Sequence, residues 1–277
     1  MTSTIPSVVP SFISPRQAFE DNMRPAELLL RVYRLLECEN LLSEGDLVKS
    51  LREVVGASAD EGLMLIYNEI FVGLIRERAQ IPSSALKRSA LNNLLRQAIV
   101  AACTGMDTYL PSLVRANLPT VIEVKGRDFL PQDKELRDYF KNLTFSLSDT
   151  LRLLGDPEAP LFIANKILGF MDFSYLSSAK GVHTTGMMLT VQSPWGQIAS
   201  KLHRDEEELK KSITDTAKRR NDIVHRADRP QSKPGAPIQE ISYVWAKQAV
   251  DTVGHVCLAL DELIAQRMLE LKAELQP

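Results

Sequence analysis

The 277-residue sequence predicts an all-α fold, and three observations carry that prediction. Apolar residues recur at three- and four-residue steps over several long stretches, the period of one helix face. No segment of comparable strength alternates apolar and polar residues as a half-buried strand does. The stretches are separated by helix punctuation, with Ser or Asp ahead of them and Gly or Pro behind.

Residues 1–24 mix Pro and Ser with scattered apolar side chains and keep no period, so they read as a mobile arm without a core role. Helical spacing begins at Pro25, where Leu28, Leu29, Val32, Leu35 and Leu36 make a first stripe. Ser43 ahead of Asp46 offers a cap, and Leu47, Leu51 and Val54 follow as the next stripe. A third apolar segment, Leu63 to Leu74, runs into charged residues and then Pro82, which stops it. Residues 25–80 thus read as a helical extension to a main helical domain over 81–277.

A long helix opens that domain near Ser83 or Ser84. It holds Leu91, Leu94, Leu95, Ala98, Ile99, Ala102, Met106, Tyr109 and Leu113 on one face for about eight turns. Residues 117–133, punctuated by Pro and Gly, read as a connection. Helical spacing resumes from Lys134 to Leu154 through Leu136, Tyr139, Phe140, Leu143, Leu147 and Leu151, closed by Gly155-Asp156-Pro157. A short helix over 159–171 precedes a Ser-, Gly- and Thr-rich stretch to 192 that shows no readable period. Ser193 and Pro194 suit a helix start, Ser as cap and Pro in the first turn, for a helix reaching about Arg226. After a polar, Pro-rich turn the last helix carries Ile241, Val244, Trp245, Val250, Val253, Val256, Leu260, Leu263 and Ile264.

Composition removes several function classes. With 33 Lys+Arg against 35 Asp+Glu the net charge is -2, which excludes a broad, non-specific polyanion binder and leaves room only for a local basic patch. At 44% hydrophobic and 25% charged, the chain is not disordered as a whole. No window reaches the roughly 18 apolar residues of a membrane span, and the N-terminus lacks the features of a secretion signal, so a cytoplasmic location without membrane contact is expected. Cys38, Cys103 and Cys257 are odd in number and far apart, as expected of reduced, buried thiols. His183, His203, His225 and His255 show neither HxxxH nor HExxH spacing, so no metal and no cofactor are expected. Gly-rich phosphate loops and a GxSxG elbow are missing.

The informative segment is residues 195–230. Its apolar stripe, Ile198, Leu202, Leu209, Ile213 and Ala217, continues at the same steps onto Arg220 and Val224. Burying an unpaired guanidinium costs on the order of several kcal/mol, so an arginine on a packing seam is either paired or kept for an anion. His225 follows at the helix end, where free carbonyls favour a protonated imidazole and the ring can take up or release a proton. A five-residue step turns about 140° and rises about 7.5 Å. Arg220 and His225 therefore converge only through the reach of the arginine, helix distortion, or a second copy of the site.

Arg220-Asn221-Asp222-Ile223-Val224-His225 resembles the R-N/D/H-x-x-x-H signature of HEPN-domain proteins. The helix LLRQAIVAACTGMDTYLPSLV, the IVHRAD continuation and the final PIQEISYVWAKQAVDTVGHVCLALDEL are similar to the RiboL-PSP-type branch, over roughly residues 81–277. The resemblance implies an all-α HEPN-like bundle, here with an additional N-terminal helical unit, that forms a homodimer or higher homo-oligomer with two Arg/His pairs facing one cleft. It also implies a metal-independent endoribonuclease of a toxin–antitoxin or antiphage defence system, with RNA as substrate and an antitoxin or defence-system protein as a further partner. Family members that lack the Arg and His are inactive, so a non-catalytic RNA-binding or assembly module is the alternative.

In that reading His225 is general base or acid for attack of the RNA 2′-hydroxyl on the adjacent phosphate, which leaves a 2′,3′-cyclic phosphate. Arg220 holds the phosphate through charge-assisted hydrogen bonds, and Asn221 orients the pair or binds a phosphate oxygen. Lys218, Arg219, Arg226 and Arg229 form the local basic patch for the RNA backbone. Asp107, and Glu207 with Lys211 at i,i+4 spacing, are candidates to support the catalytic pair. The remaining features read as structural: His255 as a packed core or interface residue, Trp195 and Trp245 as packing anchors, His183 and His203 as solvated.

Overall fold

The computed structural model describes residues 13–36, 88–129, 133–170, 178–230 and 237–274. All regular structure among them is helical. The α-helices are α1 (Pro15–Leu36), α2 (Arg88–Lys125), α3 (Lys134–Lys141), α4 (Leu147–Leu153), α5 (Ala159–Phe170), α6 (Ala179–Met188), α7 (Pro194–Leu202), α8 (Glu206–Arg226) and α9 (Tyr243–Glu274). No described helix is long and apolar enough to cross a membrane.

Helix α2 is the spine, and its apolar face, including Leu95, Ile99, Ala102, Met106, Leu110 and Val114, is buried against α1, α5, α6, α8 and α9. It also runs further than its prolines suggest. Residues 117–125, expected to be a connection, form its last turns, with Pro119 inside the helix. Leu118 and Val121 are fully buried there. Burying two such side chains yields about 3–6 kcal/mol, enough to offset the roughly 3 kcal/mol cost of an internal proline. Gly126, at φ 51°, then ends the helix in the left-handed conformation that glycine adopts without strain.

The expected arm over 1–24 is not an arm where it is described. Residues 15–24 belong to α1, and Phe19 and Met23 are buried, with the Phe19 ring 4.6 Å from that of Tyr109 on α2. The described part of the 25–80 extension is the rest of α1, and it packs on α2 and α9 rather than standing apart from the main bundle. Cys38 and the stripes from Ser43 to Leu74 lie outside the described residues. Two features of the arm hid its role: Pro15 is tolerated in the first turn of the helix, and the anchoring side chains are only two in the ten residues 15–24.

Two expected helices are each split. The 134–154 segment divides into α3 and α4, because Ser146 forms a capping box with Asp149: the Asp149 N–H donates to Ser146 Oγ at 3.1 Å and the Ser146 N–H donates to Asp149 Oδ2 at 3.0 Å. Leu147 and Leu151 are consequently exposed instead of extending the stripe. The 193–226 segment divides into α7 and α8. His203 closes α7 in a left-handed conformation at φ 51°, and the Asp205 carboxylate accepts the Glu208 N–H at 2.8 Å to open α8. Ser193 makes no cap bond and itself sits at φ 45°, while Pro194 does occupy the first turn.

Trp195 is buried and donates Nε1–H to the Ala179 carbonyl at 3.0 Å, fixing α7 to α6. The last helix begins after Ile241 and runs on to Glu274, leaving Val244 74% exposed. His255 is exposed rather than packed, since it lies off the row formed by Val253, Val256 and Leu260. His183 is half-buried, with Nε2 3.9 Å from Asp133 Oδ2, rather than simply solvated. Cys103 and Cys257 are free and buried.

Candidate active site

Helix α8 presents one row of side chains to the bundle. Steps of four, three, four and three residues from Leu209 reach Ile213, Thr216, Arg220 and Ile223. Leu209, Ile213 and Thr216 are buried and Ile223 packs partly against the core. Val224, expected on the seam, is exposed, because it stands about 100° from Ile223 around the helix.

The arginine on this seam is paired. Arg220 Nη2–H donates to Asp107 Oδ2 at 2.8 Å, with the two side chains 21% and 30% exposed. Asp107, one of the candidates to support the catalytic pair, is thus the acceptor. The pair is joined by that single bond: Arg220 Nε and Asp107 Oδ1 are buried and find no hydrogen-bond partner among the described residues. Cys103 lies one turn earlier on α2. Burial pushes its thiol up to about 12, with the nearby Arg220 charge opposing and Asp107 adding to the rise.

His225 occupies the exposed last turn of α8, and no hydrogen bond or ion pair among the described residues engages its ring. The helix is regular through Arg226, so the five-residue step keeps its rotation of about 140°. Within one chain Arg220 faces α2 and His225 faces outward. Asn221, Lys218 and Arg229 are exposed beside them.

Two residues of the expected basic patch are committed elsewhere. Arg219 lies with Nε 2.6 Å from Asp228 Oδ1, donates through Nη2 to Asp228 Oδ2 at 2.9 Å and to the Glu240 carbonyl at 2.9 Å, and has its guanidinium 5.6 Å from the centre of the Trp245 ring. Arg226 Nη1 donates to the buried Asp222 carboxylate at 2.6 Å. Drawing either guanidinium away would weaken the pairing of a buried carboxylate, so the cations of this patch left exposed and uncommitted are Lys218 and Arg229. Glu207 and Lys211 are exposed near the start of α8, about 20 and 14 Å along the axis from Arg220. Glu207 instead pairs with Lys210 at 2.8 Å.

No family model, curated protein or solved structure matches this chain. The chemistry of the site is therefore read from its own side chains. A part-buried guanidinium held in place by a carboxylate is preorganised to receive an anion, and an exposed imidazole at a helix end is within reach of a ligand. Among the described residues no cluster of three His, Cys, Asp or Glu side chains is placed to hold a metal ion.

Sequence reasoning passed over Arg96, Asp228 and Gln239. Arg96 is buried on α2, donating Nε–H to Asp228 Oδ2 at 2.6 Å and Nη2–H to the Gln239 carbonyl at 2.8 Å. The signal was available in LLRQAI, where an arginine interrupts the apolar face of a long helix as Arg220 does on α8.

Proposed function

We propose that this chain is a HEPN-type, metal-independent endoribonuclease whose working site is built from two copies of α8. The observation that supports the reading best is the Arg220–Asp107 bond, which holds a part-buried guanidinium on the seam of the helix that also bears His225. Because the two residues face different sides of α8, each copy supplies one half of a composite site, as a homodimer or higher homo-oligomer would bring together. Lys218 and Arg229 steer the RNA backbone and Asn221 contacts the phosphate.

In the reaction His225 takes the proton of the RNA 2′-hydroxyl, and O2′ attacks the adjacent phosphorus. The P–O5′ bond breaks, O5′ accepts a proton from an acid that the second His225 supplies, and the products are a 2′,3′-cyclic phosphate and a 5′-hydroxyl. Arg220 stabilises the charge that builds on the phosphoryl oxygens during attack. Such an activity suits a cytoplasmic toxin or antiphage effector restrained by an antitoxin or defence-system partner.

The test is cleavage of single-stranded and structured RNA by purified protein with and without EDTA, alongside Arg220→Ala and His225→Ala. Cleavage that survives chelation, yields cyclic phosphate ends and is lost in both variants supports the reading; wild-type protein that leaves RNA intact sinks it. Light scattering at micromolar concentration checks the composite site, which a monomer contradicts. One observation favours a second reading, an assembly or RNA-binding module: Leu147, Leu151 and Leu154 expose an apolar face along α4 and its end. RNA binding without cleavage, unchanged in both variants, is its signature.

A further inference from the structure

The last turn of α8 is closed from within by the Arg226–Asp222 pair and by the Ala227 N–H, which donates to the Asp222 carbonyl. Ala227 and Asp228 both adopt positive φ, 49° and 62°, a region that side chains other than glycine resist. What ties this turn to α2 is a buried carboxylate. Asp228 is fully buried at 0% exposure, and its Oδ2 accepts from Arg96 Nε at 2.6 Å and from Arg219 Nη2 at 2.9 Å.

The backbone around it closes the same knot. The Asp228 N–H donates to the Asp222 carbonyl at 2.8 Å, and the Asp228 carbonyl accepts from the Gln239 N–H at 2.9 Å. Arg96 Nη2 donates to the Gln239 carbonyl at 2.8 Å, and Gln239 Nε2 reaches Asp222 Oδ2 at 3.4 Å. Helix α2, the end of α8 and the segment entering α9 therefore meet at one negative charge flanked by two guanidinium groups. Without that charge Arg96 and Arg219 would face each other in a buried setting and repel.

His225 stands three residues before Asp228, and no side-chain bond among the described residues fixes its ring. Its place is set by the backbone of the turn that Asp228 clamps. We propose that Asp228 is a positioning residue for His225, acting through Arg96 and Arg219 to lock the C-terminal turn of α8; the catalytic consequence rests on the nuclease reading.

The experiment uses the full chain as wild type, Asp228→Asn, which removes the charge and keeps the shape, and Trp195→Phe, which loses a part-buried hydrogen bond between α7 and α6, away from the clamp. Amide hydrogen exchange and steady-state RNA cleavage are measured on each. The clamp requires exchange over residues 223–229 to accelerate by about tenfold or more in Asp228→Asn while α5 and α6 keep wild-type protection. It also requires kcat to fall by about tenfold with KM within about twofold, and Trp195→Phe to keep its kcat. Wild-type protection at 223–229, exchange rising equally in every helix, or a kcat no lower than that of Trp195→Phe would overturn it.

If Asp228→Asn does not fold, Arg219→Lys, which retains the charge but not the fork, is read in its place and must loosen the same amides by about threefold or more. Wild-type protein that cuts no RNA sinks the nuclease reading, and the exchange result alone then decides the clamp.

Discussion

Arg220 and Asp107, 113 residues apart in sequence, are joined by a 2.8 Å hydrogen bond that ties α8 to α2. Both side chains are less than one-third exposed, so each depends on the other to offset its desolvation. Asp107→Ala and Arg220→Ala should each destabilise the fold by about 1–2 kcal/mol in urea unfolding, less than for a fully buried pair. The double variant should lose less than the two single losses combined, with a coupling of about 0.5–1.5 kcal/mol. Additive losses would show that the bond contributes nothing.

Cys103 gives a pH dependence of defined sign. Its thiol is pushed up from an ordinary 9.0 to about 12 by burial, so the folded chain keeps a proton that the unfolded chain releases first. The associated stability is complete below pH 9 and is lost as the pH rises from 9 towards 12. In a Cys38→Ser background, native protein at pH 8 should resist alkylation at Cys103 and Cys257, and urea should expose both. Rapid labelling of Cys103 in the native state would contradict its placement beneath Arg220.

At Gly186, α6 lies close against the start of α7. A Cβ there would lie 2.5 Å from Pro194 Cγ and 2.6 Å from Pro194 Cβ, atoms of a rigid ring at the start of α7. Gly186→Ala must push the two helices apart and should cost about 1–3 kcal/mol. Gly169, with nothing within 4 Å of its own Cβ position on α5, is the control: Gly169→Ala should be neutral or gain up to about 1 kcal/mol. Equal melting temperatures for the two variants would refute the difference in packing.

The sequence conveys helical character well because burial follows the 3.6-residue period, as Leu95, Ile99, Ala102 and Met106 on α2 show. It conveys helix ends poorly where competing signals are close in strength. Asp205 followed by three glutamates is a strong N-terminal pattern, yet the apolar stripe runs through it from Leu202 to Leu209 and conceals the break at His203. Pro119 sends the opposite false signal, because two buried neighbours outweigh it. Arg220 is recognisable from its own helix, since a seam position demands a partner. The fates of Arg219 and Arg226 are not recognisable that way: Asp228 holds Arg219 in a turn beyond the helix, and Arg96 joins them from 132 residues away.

That division of the arginines separates binding from stability. Lys218 and Arg229 are exposed, whereas Arg219 and Arg226 are spent on the buried carboxylates Asp228 and Asp222. Lys218→Ala and Arg229→Ala should leave the melting temperature near wild type, weaken RNA binding, and each reduce the slope of log affinity against log salt by about 0.7–0.9 for single- or double-stranded contacts. Arg219→Ala should instead lower stability by about 2–4 kcal/mol, because Asp228 keeps only Arg96 as a partner. Its effect on RNA should follow from the disturbed end of α8 and leave the salt slope near wild type. Binding titrations at several salt concentrations, read beside thermal melts, distinguish the two classes. A salt slope that falls for Arg219→Ala at unchanged stability would add that arginine to the proposed RNA-binding surface.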